Sequence, residues 1–163
     1  MQPSHLDRSD DRAAAIIVST HLEDDLKEFI LSKMVPLTQS EIGEIFIGDS
    51  PISTFSAKIN LAYALGLIGK QARHDLSLIR HIRNTFAHSR KPISFATNEV
   101  ADTCKHLTLL DRHQEPRFQG RALLAPRDRF VATAQLYRTG IMCTLRPELF
   151  NLEDEHQPQI PLD

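Results

Sequence analysis

The chain has 163 residues, a formal net charge of −2 and a pI near 6.4, with 41% hydrophobic and 25% charged residues. That composition suits one folded domain with a substantial core, and it provides no global charge to draw the molecule to nucleic acid or a membrane, so a basic site must be local. No apolar run approaches the roughly 20 residues of a membrane span, and the polar opening MQPSHLDRSDDR lacks a signal peptide's apolar segment. Cys104 and Cys143 match no metal or redox spacing, so both read as buried thiols and the chain as a cytoplasmic protein of bacterial type.

Residues 1–8 read as a loose arm, 9–147 as a single helical domain, and 148–163 as an acidic, proline-containing tail. The first helix is predicted from about Asp10 to Lys33, capped by Ser9, because Ala15, Val18, Leu22, Leu26, Phe29 and Ile30 recur at helical steps. Gln39 to Phe46 has room for one or two turns of helix, and GDSP reads as a turn in which Gly48 takes positive φ and Pro51 fixes its own.

A second main helix is predicted over Ser53–Leu67, capped by Ser53 and stopped by Gly69. Phe55, Ile59, Ala62, Tyr63, Leu65 and Gly66 give it an apolar or small surface nearly all round, which predicts a central position. The third runs from Gln71 to Ser89, before Pro92. The fourth spans Thr97–Leu110 and buries Val100, Cys104, Leu107 and Leu110, and the fifth begins with Pro126 in its first turn and reaches Leu145. KPISFAT is the best strand candidate in a chain with no convincing alternation. The fold class is all-α, a bundle of four to five main helices.

The stretch SLIRHIRNTFAHSRKP, Ser77 to Pro92, sets two histidines, three arginines and an asparagine among apolar residues. On a wheel of about 100° per residue, Leu78, Ile79, Ile82 and Phe86 form one apolar stripe, with Ser77, His81, Asn84 and His88 roughly opposite. Arg83 lies at the border, where its stem can cover apolar surface. A solvated polar face with a histidine at a helix C-terminus accounts for this pattern on its own. His74, His81 and His88 recur every seventh residue, about 10 Å apart along the axis, too far to share one metal ion. Across a two-fold axis such a stripe meets its own copy.

Two resemblances bear on these residues. GDSPISTFSAKINLAYALGLI, Gly48 to Ile68, resembles the glycine–acidic–Gly/Ser–Pro turn and apolar helix of the mannitol operon repressor (MltR-like) family of bacterial transcription regulators, over roughly residues 11 to 110. The resemblance implies a helical regulator with no DNA-reading module, acting through partner proteins. Arg83, Asn84 and His88 match the R-N-x-x-x-H form of the HEPN superfamily, which includes metal-independent ribonucleases; the MltR-like fold is similar to that helical bundle. This second resemblance implies a homodimer with the motif at its interface, because RNA cleavage without metal needs an acid, a base and a cation for the oxyanion. Histidine suits the first two roles, arginine the third, and Asn84 would orient His88 or the phosphate. Two facing copies would supply two of each group.

Weaker binding candidates are His81, the turn residues Asp49 and Ser50, and the connection bearing Arg112, Arg117 and Arg121, which continues to Arg127 and Arg129 and is offset by Glu115 and Asp128. A solvated loop is the commoner explanation of that connection, and no aromatic interleaving beyond Phe118 and Phe130 suggests base stacking. Glu23, Asp24, Asp25 and Glu28 read as an exposed acidic face with a Glu23–Lys27 pair. No helix-turn-helix spacing with a basic recognition helix, phosphate-binding glycine loop or serine elbow is present. No cofactor or metal is expected, and sequence-specific DNA binding is disfavoured. The expected partners are a second copy and a regulatory protein, with RNA as the alternative.

Overall fold

The computed structural model describes residues 5–112 and 125–149, with side chains over 11–112 and 125–148. No glycine or proline stands between His5 and Leu31, and α1 (His5–Leu31) is one unbroken helix of 27 residues. It starts upstream of the predicted boundary, so Ser9 lies inside it rather than at its cap. Residues 5–8, read as an arm, form its first turn. Two i to i+3 bonds, Lys33 N to Ile30 O (3.0 Å) and Met34 N to Leu31 O (3.1 Å), tighten its exit.

α2 (Gln39–Phe46) carries a full capping box. Thr38 Oγ1 accepts from Glu41 N at 3.4 Å, and Thr38 N donates to Glu41 Oε2 at 2.7 Å. That bond and the one from the Thr38 hydroxyl hold the Glu41 carboxyl below its ordinary range. Gly48 has the expected positive φ of 68°. α3 (Phe55–Ala64) is capped by Thr54, whose hydroxyl accepts from Ala57 N at 3.1 Å. Ser53, the predicted cap, instead donates to Ser50 O at 2.9 Å.

α3 ends earlier than Leu67, and Gly66 rather than Gly69 stops it. Gly66 has φ 70°, with Gly66 N bonded to Tyr63 O (3.0 Å) and Leu67 N to Ala62 O (2.9 Å), a Schellman closure. Gly69 is the N-cap of α4 (Lys70–His88). Nor is α3 central. It buries Phe55, Lys58, Ile59 and Ala62 against α1 and α4 but leaves Asn60, Ala64 and Leu65 exposed. Alanine and glycine are indifferent to exposure, so counting them as apolar made one buried face look like a whole circumference.

The predicted fourth helix is two pieces, α5 (Asn98–Lys105) and α6 (Leu109–Arg112), which bury Val100, Cys104, Leu109 and Leu110, with Leu107 buried between them. Thr97 precedes α5 without a side-chain bond into it; its hydroxyl accepts from Ser94 N at 3.0 Å. α7 (Pro126–Leu145) begins with proline, as expected, and a 3₁₀ turn follows at Pro147–Leu149. The fold is all helical among the described residues. KPISFAT is a loop whose Phe95 is buried.

α1, α4 and α7 pack against one another, α3 lies on α1 and α4, and α5 lies on α4 and α7. One core joins them. A row of tilted rings, Phe86 to Phe95 at 4.9 Å and Phe95 to Phe130 at 5.2 Å, links α4, the loop after it and α7. Phe130 is therefore a core residue and not a stacking platform; Phe118 lies outside the described residues. No described helix is long and apolar enough to cross a membrane.

Inside this core sits a carboxylate. Asp75 of α4 is fully buried, and its oxygens accept from Thr108 N (2.9 Å), Leu109 N (2.9 Å) and the Tyr137 hydroxyl (2.9 Å). The first two donors are the start of α6, so a side chain from another helix caps it. Burial, and then the adjacent Asp75 charge, push the Tyr137 hydroxyl far above its ordinary pKa. The folded state therefore holds the Tyr137 proton more tightly than the unfolded chain, where tyrosine titrates near about 10. Its contribution is complete below that pH and is lost progressively as pH rises above it toward the raised folded-state value. Urea unfolding between pH 8 and 11 is expected to show wild-type stability falling above about pH 10. Tyr137→Phe should be less stable at pH 8 by roughly 1–2 kcal/mol but fall less steeply with pH; equal slopes would show that the Tyr137 proton is not held this way.

Candidate functional site

The inner face of α4 is Ala72, Asp75, Leu76, Ile79, Ile82 and Phe86, all buried. Leu78, assigned to the apolar stripe by its position on the wheel, is only half-buried. Lys70, Arg73, His74, His81 and His88 are exposed along the outer face, with Ser77, Arg80, Arg83 and Asn84 half-buried. Between residues 50 and 98 the chain carries seven Lys/Arg and one carboxylate, Asp75, which is spent in the core. A net charge of −2 therefore conceals a helix whose solvent face is cationic along its length.

The three motif residues differ in environment. Arg83 donates to Asn84 Oδ1 at 3.1 Å and places its guanidinium 3.9 Å from Glu23 Oε2 of α1. Asn84 thus spends its carbonyl on Arg83 rather than on His88. His88 is exposed on the last turn of α4, where Arg12 of α1 donates to Ala87 O at 2.8 Å and so serves the helix end. His81 is exposed one turn before Thr85, whose hydroxyl bonds its carbonyl at 3.0 Å.

Glu23 belongs to a buried ion pair. Lys58 Nζ of α3 lies 2.7 Å from Glu23 Oε1 and 2.7 Å from Ser53 O, with the two charged side chains 6% and 15% exposed. The acidic stretch of α1 is thus only partly a solvated face. Asp24 and Glu28 are exposed, but Glu23 pairs with Lys58 rather than Lys27, and Asp25 accepts from Arg138 Nε of α7 at 2.5 Å. Lys27 lies 5.9 Å over the Phe46 ring.

The basic connection is divided in the same way. Arg112 donates to Thr108 Oγ1 (3.2 Å) and Tyr137 Oη (3.4 Å) and lies 4.0 Å from Asp75. Arg127 pairs with Asp11 at 3.4 Å. Arg129, 5% exposed, donates to Cys104 O (3.1 Å) and Leu107 O (2.5 Å) and pairs with Asp111, closing the end of α5. Arg117 and Arg121 lie outside the described residues. Asp49 is exposed, and Ser50 holds Ser53 through its carbonyl while its own buried hydroxyl has no partner. Among the described residues no group of His, Cys, Asp and Glu is arranged to hold a metal ion. Cys104 is buried, its thiol pushed up to about 12 by burial, and Cys143 is half-buried.

Sequence reading missed a cleft of about 390 Å³ where α3 hands over to α4, lined by Tyr63, Lys70, Arg73, His74 and Ser77. The signal was present as the i, i+3, i+4, i+7 run of polar residues from Lys70. What joins Tyr63 to them is the tight closure at Gly66, which no periodicity shows.

The family model described as mannitol repressor matches residues 15–145. The match runs from α1 through α7, beyond the 11–110 span of the motif resemblance. No curated protein and no solved structure matches the chain.

The Glu23–Lys58 pair gives an asymmetric expectation. Glu23→Gln leaves a buried ammonium uncompensated and is expected to cost about 3 kcal/mol. Lys58→Met keeps the stem and leaves Glu23 facing Arg83, and should cost less than about 1.5 kcal/mol. Thermal or urea unfolding of the two variants decides it, and equal losses would show that Glu23 has no special duty toward Lys58.

Proposed function

The chain belongs to the mannitol repressor family, and from that premise we propose that it regulates transcription in the cytoplasm through protein contact made by the outer face of α4, without reading DNA sequence. One observation carries this reading: α4 presents Lys70, Arg73, Arg80, His81 and His88 outward with no exposed carboxylate among them, on a helix whose inner face is fixed in the core. Such a face suits an acidic partner surface, where complementary charge sets approach rate and register. It suits groove reading less well. A recognition helix places its first residues on base edges, and here Lys70, Arg73 and His74 of the first turns line a recess with Tyr63.

The test combines three measurements. Deleting the gene should change transcription of a defined set of operons. Purified protein should not retain promoter fragments of those operons above competitor DNA. Arg80→Glu with Arg90→Glu, which places two acidic groups on and just beyond that face, should reproduce the deletion phenotype while the circular dichroism stays helical. Specific promoter retention, or full regulation by the charge-reversed variant, would sink the proposal.

A second reading, a HEPN-type metal-independent ribonuclease or its silent RNA-binding relative, draws on the position of Arg83, Asn84 and His88 in the last two turns of α4, with His88 exposed. Two features weigh against it. Glu23 lies 3.9 Å from the guanidinium that would stabilise the oxyanion. A dimer built on this face also sets one cationic helix against its copy, which is repulsive unless a polyanion lies between. Incubating the protein with RNA in EDTA decides it. The first reading expects no cleavage, whereas cleavage abolished by His88→Ala and accompanied by dimers in sedimentation would establish the second.

A further inference from the structure

We propose that the cleft between α3 and α4 binds a small phosphomonoester, so that the protein–contact face carries a ligand site at one end. Its five lining residues are Tyr63, Lys70, Arg73, His74 and Ser77. Three can carry positive charge and none is acidic. Asp75, the nearest carboxylate in sequence, is buried and held by Thr108, Leu109 and Tyr137.

The cations are held in place. The Arg73 guanidinium stacks 4.6 Å from the centre of the Tyr63 ring and donates to Asn60 Oδ1 at 3.0 Å. Two contacts fix its plane and leave the other guanidinium N–H groups for a planar or tetrahedral oxyanion. His74 Nε2 lies 3.3 Å from His106 O, and a carbonyl only accepts, so Nε2 is the donor there and Nδ1 is left for a ligand. Lys70 adds an exposed ammonium one turn away. Cations in the first turns of a helix oppose its dipole, by about 0.3–1 kcal/mol each, and no acidic side chain in the first turn relieves them. An anion in the cleft would.

Ser77 adds an acceptor to the cleft. Its proton is given to Arg73 O at 2.7 Å, so its oxygen can only accept within the cleft. The Tyr63 phenol can donate or accept. A ligand O–H, on an organic chain or on a protonated phosphate oxygen, can donate to the Ser77 oxygen. A volume of about 390 Å³ holds a phosphate with a short polyol chain.

The probes are glycerol 3-phosphate, inorganic phosphate and a 20-nucleotide single-stranded RNA, each titrated into ¹⁵N-labelled protein. Glycerol 3-phosphate should give saturable shifts confined to residues 60–78, and should bind more tightly than inorganic phosphate. Arg73→Gln should weaken it about tenfold or more, the scale of one charge-assisted hydrogen bond. Lys70→Gln, at an exposed position that does not threaten folding, should weaken it several-fold. Arg80→Glu with Arg90→Glu should leave it unchanged, so this site and the protein-contact reading fail separately. Three results would overturn the proposal: no saturable shift at tens of millimolar phosphomonoester, equal binding by wild type and both cleft variants, or RNA shifting the same residues at far lower concentration while the phosphomonoester does not compete.

Discussion

The arrangement turns on Asp75. A carboxylate placed in a helical core must be given hydrogen bonds, or it costs far more than any single apolar contact returns. Here the donors come from two elements, the start of α6 and the Tyr137 hydroxyl of α7, with the Arg112 guanidinium of α6 4.0 Å away as a counter-charge. Meeting that demand fixes the register of α4 against the α5–α6 corner and against α7 at once. The Phe86–Phe95–Phe130 row fixes the other end of α4. With both ends of its inner face held, the outer face is left out of the core, and among the described residues only Arg73, His74 and Arg83 on it bond to neighbouring elements.

Charge is partitioned to match. α1 supplies acids that face inward to neighbouring elements: Asp11 to Arg127, Glu23 to Lys58 and Arg83, Asp25 to Arg138. Each pair joins α1 to another helix, so the acidic residues of α1 act as seams as much as a solvated face. The cations they consume lie on α3, α7 and the second half of α4. Among the described residues, those on the first turns of α4 have no carboxylate partner. A chain of net charge −2 thus comes to carry one region of concentrated positive potential, because acids and bases are paired unevenly rather than because bases are in excess.

Much of this was legible in the sequence. Apolar periodicity located α1 and α4 to within a few residues, since a helix that buries one face must show it every third or fourth position. The turn at Gly48 and Pro126 at the head of α7 were equally plain. Several of the errors share one cause. Asp75, Lys58 and Arg129 are buried polar residues, and a wheel assigns polar residues to solvent by default. Their partners come from distant helices, 33 to 62 residues away for Asp75, and local spacing carries no information about them. The split between α5 and α6 has the same origin, because the break is stabilised from outside by Asp75 and Arg129. The choice between Gly66 and Gly69 was open in the sequence, as each could end a helix or begin the next.

The motif that draws attention to α4, Arg83, Asn84 and His88, bears on function through what surrounds it. A guanidinium stabilises a developing oxyanion best when nothing else neutralises it in a dry site. Arg83 instead shares Glu23 with Lys58 and is a third exposed. Its neighbour Asn84 is turned to Arg83, which leaves His88 without an orienting partner from within the motif. Read as a HEPN motif, a single chain would supply half of an active site, with its cation discounted. A second copy would have to approach along a cationic helix, and like charges at close range favour that only when a polyanion bridges them. The same cations cost nothing extra toward an acidic protein surface or a phosphate in the α3–α4 cleft, where they are the attraction. The electrostatics of α4 therefore favour partners that bring negative charge from outside over assembly through this face alone.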